Sequence, residues 1–310
     1  MEYRRLGNSG LKISLAGLGC NNFGWRCDEQ QSALVVHKAL DLGVNFFDTS
    51  NSYGRGLSEE YLGRALAGHR SEVIIATKVG SRVGEEPLQS GASRRHIMQQ
   101  VEGSLRRLAT DHVDLYQIHF PDESTPAEET MRALDDLVRQ GKVRYVGCSN
   151  YAAWQVVESQ LIAKAHGLTP FVSAQNRYNL MERRIEKDLV PVCDKYGLGI
   201  LPYFPLASGF LTGKYRRGEP LPEGTRLAAV APIAGDVLTE QNFDMLEKLE
   251  AFAQARGRPL VDLALGWLAS HPYISSVIAG ATRPEQVEQN VNAVSWRLSD
   301  EEMAEIDALT

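Results

Sequence analysis

The stretch "VNFFDTSNSYGRG", residues 44–56, begins as a short apolar strand and then turns polar, setting Asp48, Thr49, Ser50, Asn51, Ser52 and Tyr53 side by side. A buried-looking run that ends on an acid and a tyrosine marks a strand leaving the core at a chemically active rim. Runs of the same kind recur: "ISLAGLG" (13–19), "VIIATK" (73–78), "VDLYQI" (113–118), "VRYVGC" (143–148), "FVSAQ" (171–175), "LGILPY" (198–203) and "SSVIA" (275–279). Between them Ala33, Val36 and Leu40, then Val101, Leu105 and Leu108, then Met131, Leu134 and Val138 are spaced so that apolar side chains share one helix face. Strands alternating with helices pair in parallel through right-handed crossovers, because parallel neighbours cannot be joined by a tight turn. Eight such units predict an α/β fold, a closed (β/α)8 TIM barrel, as one domain over residues 1–310.

Two features lie outside the alternation. "YRRLGNSGLKIS" carries Asn8, Ser9 and Gly10 between two short segments and predicts an N-terminal β-hairpin that plugs the barrel's N-terminal mouth. After the seventh strand, from Leu206 to about Leu238, the chain is rich in Gly and Pro, with Gly209, Gly213, Gly218, Pro220, Pro222, Gly224, Pro232 and Gly235, and lacks periodicity. A loop of that length predicts a lid.

Composition narrows the function. The formal net charge is -6 and the basic residues are scattered, which excludes the basic stripe of a nucleic-acid binder. No apolar run approaches the roughly 18 residues that cross a bilayer, and the start lacks the apolar segment of a signal peptide, so a cytoplasmic protein without a membrane partner is expected. Cys20, Cys27, Cys148 and Cys193 form no CxxC pair and no HExxH occurs, so no metal site is expected and the thiols read as reduced and structural.

In such barrels the chemistry sits at the C-terminal ends of the strands. Asp48 ends the second run, Lys78 ends the third, His119 follows the fourth, and Tyr53 lies on the loop after Asp48; Ser149 and Asn150, Gln175 and Tyr203 end the next three. Each alone has a structural explanation: a turn-capping acid, a snorkelling lysine, a satisfied histidine, a packed tyrosine. Together they converge on one mouth, as a catalytic group requires. A tyrosine with a pKa of about 10 becomes a workable acid when an ammonium favours its phenolate, so Lys78 is expected to lower the Tyr53 pKa, with Asp48 as counter-ion. His119 would orient a carbonyl oxygen or share its proton. This set suits protonating a developing alkoxide while hydride reaches the carbon. The glycines of "GLGCNNFG" do not complete G-x-G-x-x-G, because Asn22 stands at the third position, so any nicotinamide cofactor is expected on barrel loops.

At this level the chain resembles the aldo-keto reductases, through "FFDTSNSYG", "ATKVG", "LYQIHFPD", "VRYVGCSN", "SAQNRYN", "FPLASGFLTGKY" and "IAGATRPEQVEQN" in the family's order. The "GATxPEQ" form is similar to the broad bacterial and plant branch. The resemblance implies NADP(H)-dependent reduction of aldehydes or ketones, with catalysis on Asp48, Tyr53, Lys78 and His119. It implies that Ser149, Asn150 and Gln175 bind the nicotinamide carboxamide, that Tyr203 stacks on the ring, and that Leu206, Ser208, Gly209 and Lys214 wrap the pyrophosphate. Gly280, Ala281 and Gln286 replace the lysine, serine and arginine of the best-known members. Arg283 is therefore expected to meet the 2′-phosphate and to favour NADPH, with NAD(H) still possible; Gln289 and Asn290 are expected at the adenine.

Trp25, Phe120 and Phe204, aromatic residues at strand ends, read as substrate-pocket residues or as packing. Arg26 reads as a group for an anionic substrate or as an exposed loop residue. A small carbonyl compound is the expected partner, for a monomer or weak oligomer. Two other readings remain: a nicotinamide-nucleotide-sensing protein of very slow turnover, like the family's potassium-channel β subunits, and a barrel acting on sugar phosphates without redox chemistry.

Overall fold

The polar turn at Asp48 is where a three-residue strand, Phe46–Asp48 (β4), reaches the top of a barrel. The computed structural model describes residues 1–86, 88–230, 234–235 and 237–310. Pro232 of the predicted lid lies outside the described residues.

The chain opens with an antiparallel hairpin, Tyr3–Arg5 (β1) against Lys12–Ser14 (β2). The barrel strands follow as Ala16–Gly19 (β3), β4, Ile74–Val79 (β5), Val113–Ile118 (β6), Val143–Ser149 (β7), Phe171–Gln175 (β8), Gly199–Ile200 (β9) and Val277–Gly280 (β10). They form one eight-stranded parallel sheet in the order β10-β3-β4-β5-β6-β7-β8-β9. A parallel bridge from Ile200 to Ile274 closes it, through Ile200 N–H to Tyr273 O at 3.2 Å and Ser275 N–H to Ile200 O at 3.0 Å. The run at 13–19, read as one strand, divides at Leu15: its first part belongs to the hairpin and its second to the barrel.

Helices Glu29–Asp41 (α1), Leu57–Ala65 (α2), Arg94–Arg107 (α3), Ala127–Arg139 (α4), Ala153–His166 (α5) and Leu189–Tyr196 (α6) connect successive strands, and Glu240–Gln254 and Leu260–Ser270 precede β10. Asp28 caps α1 and Ser93 caps α3 by accepting from the backbone N–H three residues on. The loop after β9 is not structureless, since it contains a tight turn at Ala207–Thr212 and a short helix at Arg226–Ala229. No helix among the described residues is long and apolar enough to cross a membrane.

Strand alternation sorts the side chains. Phe47 packs outward with the helices, while Phe46, Ala76, Leu115, Leu201 and Ile278 meet inside the barrel. Leu6 and Ile13 of the hairpin segment join that inner cluster from below, so the hairpin does plug the mouth. Gly17 keeps room for the layer, since a Cβ there would meet Ser276 Oγ at 2.7 Å and a Phe46 ring carbon at 2.9 Å. Two residues further up the inward faces stand Asp48, Lys78 and Gln117, so the apolar core gives way to polar side chains along single strands.

Candidate active site

Lys78 is wholly buried and Asp48 is 3% exposed. Lys78 Nζ donates to Asp48 Oδ2 at 2.6 Å, to Thr49 O at 2.9 Å and to the Tyr53 hydroxyl at 3.3 Å. The other carboxylate oxygen, Asp48 Oδ1, accepts from Gln175 Nε2 at 2.8 Å and from Gln117 Nε2 at 3.3 Å. A buried ion pair tolerates desolvation only when its remaining hydrogen-bonding sites are filled, and here they are. Burial alone would lower the Lys78 pKa, but Asp48 and Tyr53 reverse this and raise it, so the ammonium persists.

Tyr53 is held in position by a tight turn. Gly54, Arg55 and Gly56 follow it with φ of 55°, 57° and 95°, and a Cβ on Gly54 would meet Phe23 O at 2.7 Å. The expected lowering of the Tyr53 pKa is not found. Burial raises it; Lys78 lowers it and Asp48 raises it again, and the net direction is upward. Because Asp48 lies 2.6 Å from Lys78, the two form a nearly neutral pair, which attracts a phenolate far less than a lone ammonium does. Tyr53 is therefore a protonated phenol at rest.

His119 closes the group from β6. Its ring lies edge-on to Tyr53 at 5.7 Å and stacks on Phe120 at 4.8 Å. Burial, with the Lys78 charge second, holds its pKa down at about 3, so the imidazole is neutral. Nδ1 lies 2.9 Å from Ser81 Oγ and 3.2 Å from Ser50 Oγ.

These residues border a cavity of about 420 Å³. Asp48, Tyr53 and His119 line it, together with Ser149, Asn150, Gln175, Tyr203, Leu206, Ser208, Gly209, Lys214, Gly280, Gln286, Gln289, Asn290, Phe120 and Phe204. Lys78 stands behind Asp48 and Tyr53. Several of these side chains also bind one another: Asn150 Nδ2 donates to His119 O at 2.9 Å, Asn150 Oδ1 accepts from the Tyr203 hydroxyl at 2.6 Å, and Gln286 Oε1 accepts from Thr282 N at 2.7 Å. Asn150, Ala207, Ser208 and Gly209 adopt left-handed φ, and the last three succeed one another beside the cavity.

Two expected residues fall elsewhere. Arg283 is exposed at the N-cap of the helix Pro284–Ala293 and is not among the residues that line the cavity, whereas Thr282 is. Trp25 borders an adjoining cleft with Ser52, Tyr53, Gly54, Arg55, Leu57 and Arg226.

The structure adds residues that the sequence reading missed. Gln117 supports Asp48 and was legible from alternation, two positions before His119. Asn22 and Thr282 line the cavity from loops and Arg226 from the start of the short helix Arg226–Ala229, where no periodicity points to them. The Arg226 guanidinium lies 4.7 Å from the Phe204 ring centroid and 5.5 Å from that of Trp25. Burial first, and then the Arg26 charge, lowers the pKa of both Lys214 and Arg226, and neither forms an ion pair among the described residues. Among the described residues Ser208 Oγ and Asn22 Oδ1 are buried in the lining without partners, and so is Arg226 Nε. Uncompensated cations, orphaned polar atoms and the Tyr203 ring fit a phosphate-bearing nucleotide with an aromatic end.

A closed (β/α)8 barrel with a buried Lys–Asp pair, a tyrosine and a neutral histidine beside such a cavity defines an oxidoreductase of the barrel class. The sequence profile of the Aldo/keto reductase family matches residues 16–310. The L-glyceraldehyde 3-phosphate reductase of Escherichia coli (strain K12) is 37% identical over 99% of this chain and 92% of its own length. A probable voltage-gated potassium channel subunit beta of Oryza sativa is 37% identical over 95% of this chain and 91% of its own, and the versiconal hemiacetal acetate reductase of Aspergillus parasiticus is 34% identical over 98% and 95%. The chain belongs to the aldo/keto reductase family.

Proposed function

We propose that the protein reduces the carbonyl group of small aldehydes or ketones to the alcohol, reversibly, with NADPH as preferred cofactor and NADH as an alternative. The observation that carries the reading is Lys78 Nζ, in contact with both Asp48 Oδ2 at 2.6 Å and the Tyr53 hydroxyl at 3.3 Å beside the cavity.

When bound, the nicotinamide supplies hydride to the carbonyl carbon. The chain's own part is to bind, orient and protonate. Tyr53 and His119 meet the carbonyl oxygen and draw charge onto it. As that oxygen becomes an alkoxide, the Tyr53 O–H bond breaks and the proton moves to it. An alkoxide is far more basic than a phenolate, so the raised Tyr53 pKa does not oppose the transfer. The phenolate left behind accepts from Lys78 Nζ, and Asp48, anchored by Gln175 and Gln117, keeps that ammonium in place.

Lys214 and Arg226 would neutralise the cofactor's phosphates, with Ser208, Leu206 and Gly209 beside them. Tyr203 would stack on the nicotinamide, Ser149, Asn150 and Gln175 would bind its carboxamide, and Gly280, Thr282, Gln286, Gln289 and Asn290 would take the adenosine end. Phe120, Phe204 and, across the adjoining cleft, Trp25 would border the substrate.

NADPH oxidation measured against aldehydes, ketones, quinones and phosphorylated aldehydes tests the proposal. Turnover of about 1 s⁻¹ or faster on at least one of them is expected. The likeness to a potassium channel β subunit favours a second reading, a nucleotide-sensing protein, which predicts tight nucleotide binding with negligible turnover across the same panel.

A further inference from the structure

His119 is neutral, so it carries one ring proton, and the nitrogen that holds it decides what the ring offers a substrate. With the proton on Nε2, His119 presents a donor to the cavity; with it on Nδ1, it presents a lone pair, which repels a carbonyl oxygen. The backbone fixes the ring's position, since His119 N–H donates to Val79 O at 2.7 Å and His119 O accepts from Asn150 Nδ2 at 2.9 Å. It does not fix the proton. That choice falls to the two groups facing Nδ1, Ser81 Oγ at 2.9 Å and Ser50 Oγ at 3.2 Å.

Both are hydroxyls, each with one proton to place. Ser81 Oγ has no other hydrogen-bond partner among the described residues, so its proton is satisfied by Nδ1 acting as acceptor. Ser50 Oγ already accepts from Ser52 N at 3.3 Å, stands 3.0 Å from Ser52 Oγ and faces Asn51 Oδ1 at 3.4 Å, so its proton goes to Nδ1 or to one of those two neighbours. A proton on Nδ1 would turn the Ser81 hydroxyl hydrogen away from the ring toward solvent, since no other acceptor faces it among the described residues. The opposite tautomer keeps the Ser81 proton inside the protein, on Nδ1. Among the described residues no carboxylate, whose pull on an Nδ1 proton would reverse the preference, is hydrogen-bonded to this nitrogen.

We propose that Ser50 and Ser81 are positioning residues that hold His119 in its Nε2–H tautomer, making a neutral imidazole a fixed hydrogen-bond donor to the substrate's carbonyl oxygen. The donor half of this inference rests on the carbonyl-reductase reading; the tautomer does not. The division of labour follows: Tyr53 gives up its proton, and His119 only shares one.

The experiment is nitrogen-15 NMR of the imidazole nitrogens in the full-length protein without substrate, at pH 7. The two tautomers interchange which nitrogen resonates as protonated. The wild type is expected to show Nε2 protonated. Ser50→Ala/Ser81→Ala is expected to show a mixture, with kcat lowered about tenfold and cofactor affinity unchanged, the scale of one lost hydrogen bond. Ser81→Thr, which keeps the hydroxyl, restores the wild-type spectrum when combined with native Ser50. Protonated Nδ1 in the wild type, or unchanged nitrogen shifts in the folded double-alanine variant, overturns the proposal. A protein with protonated Nε2 that reduces no carbonyl supports the tautomer and defeats the carbonyl-reductase reading instead.

Discussion

The Asp48–Lys78 pair is open to a double-mutant cycle with Asp48→Asn, Lys78→Met and both together. Removing one partner of a buried pair costs roughly 3–5 kcal/mol, because the other charge is left uncompensated. Lys78→Met falls at the lower end of that range, since Asp48 Oδ1 keeps its Gln175 donor at 2.8 Å and its Gln117 donor at 3.3 Å. Asp48→Asn leaves the ammonium only neutral oxygens, among them Thr49 O at 2.9 Å and the Tyr53 hydroxyl at 3.3 Å, and turns an amide N–H₂ toward the Gln175 and Gln117 donors, so it costs more. The double variant buries no charge at all, and replacing a whole pair by neutral groups of similar size is close to neutral. At about 2 °C per kcal/mol for a chain of this size, thermal unfolding of the ligand-free protein at pH 7 should fall by about 6 °C for Lys78→Met and about 8 °C for Asp48→Asn, but by only about 3 °C for the double variant. A double variant that falls by about 14 °C, the additive value, would refute the claim that these charges depend on each other.

The remaining predictions use the same geometry. Tyr53→Phe should leave nucleotide binding by fluorescence intact while lowering kcat by about 10²–10⁴-fold, and a variant within tenfold of wild type would place the acid elsewhere. Lys214→Met should weaken NADPH binding by about 10–100-fold, the scale of a charged hydrogen bond, whereas Arg283→Ala should change it less than threefold; the reverse order would restore the role expected from sequence. His119 and His271 are held at about 3 and about 4, against 6.5 when unfolded, by burial in both cases. Their depressed values make the native state reluctant to bind protons, so stability is intact above pH 6.5 and is lost as pH falls toward 4. The loss should steepen toward about 2.7 kcal/mol per pH unit. His271→Phe should halve that slope, as measured by guanidinium unfolding from pH 7 to pH 4.

How far such a site is legible in sequence depends on where its residues sit. The barrel was readable because strand and helix periods alternate along the whole chain, and Asp48, Lys78 and Gln175 were readable because a strand's inward face continues to its end. Strand lengths were not: β9 is only Gly199–Ile200, because Pro202 has no N–H to continue the ladder, although Leu201 N–H still donates to Ala174 O at 3.0 Å and Tyr203 N–H to Asn176 O at 3.1 Å. Arg226 was hidden because it opens a four-residue helix inside the long loop, where only the fold brings it to the cavity; Arg283, one residue beyond Thr282, stands exposed at the start of the helix Pro284–Ala293.

The Tyr53 pKa shows a different limit. From sequence, a lysine near a tyrosine implies an acidified phenol, and an aspartate near the lysine implies a counter-ion, but the two statements pull against each other. Which wins depends on whether Asp48 lies closer to Lys78 than Tyr53 does, and the distances are 2.6 Å and 3.3 Å. The nearer anion cancels most of the ammonium's field at the phenol, and burial then decides the direction. Lys78 therefore contributes little to ionising Tyr53 at rest. Its contribution comes once the proton has left, when the phenolate is anionic and the Nζ–H bond to it becomes charge-assisted at both ends. Interactions that strengthen only as the reaction proceeds raise kcat without tightening ground-state binding. Lys78→Met should accordingly lower kcat and kcat/KM by similar factors while leaving the substrate KM nearly unchanged, and a rise in KM with kcat preserved would show that Lys78 acts on binding instead.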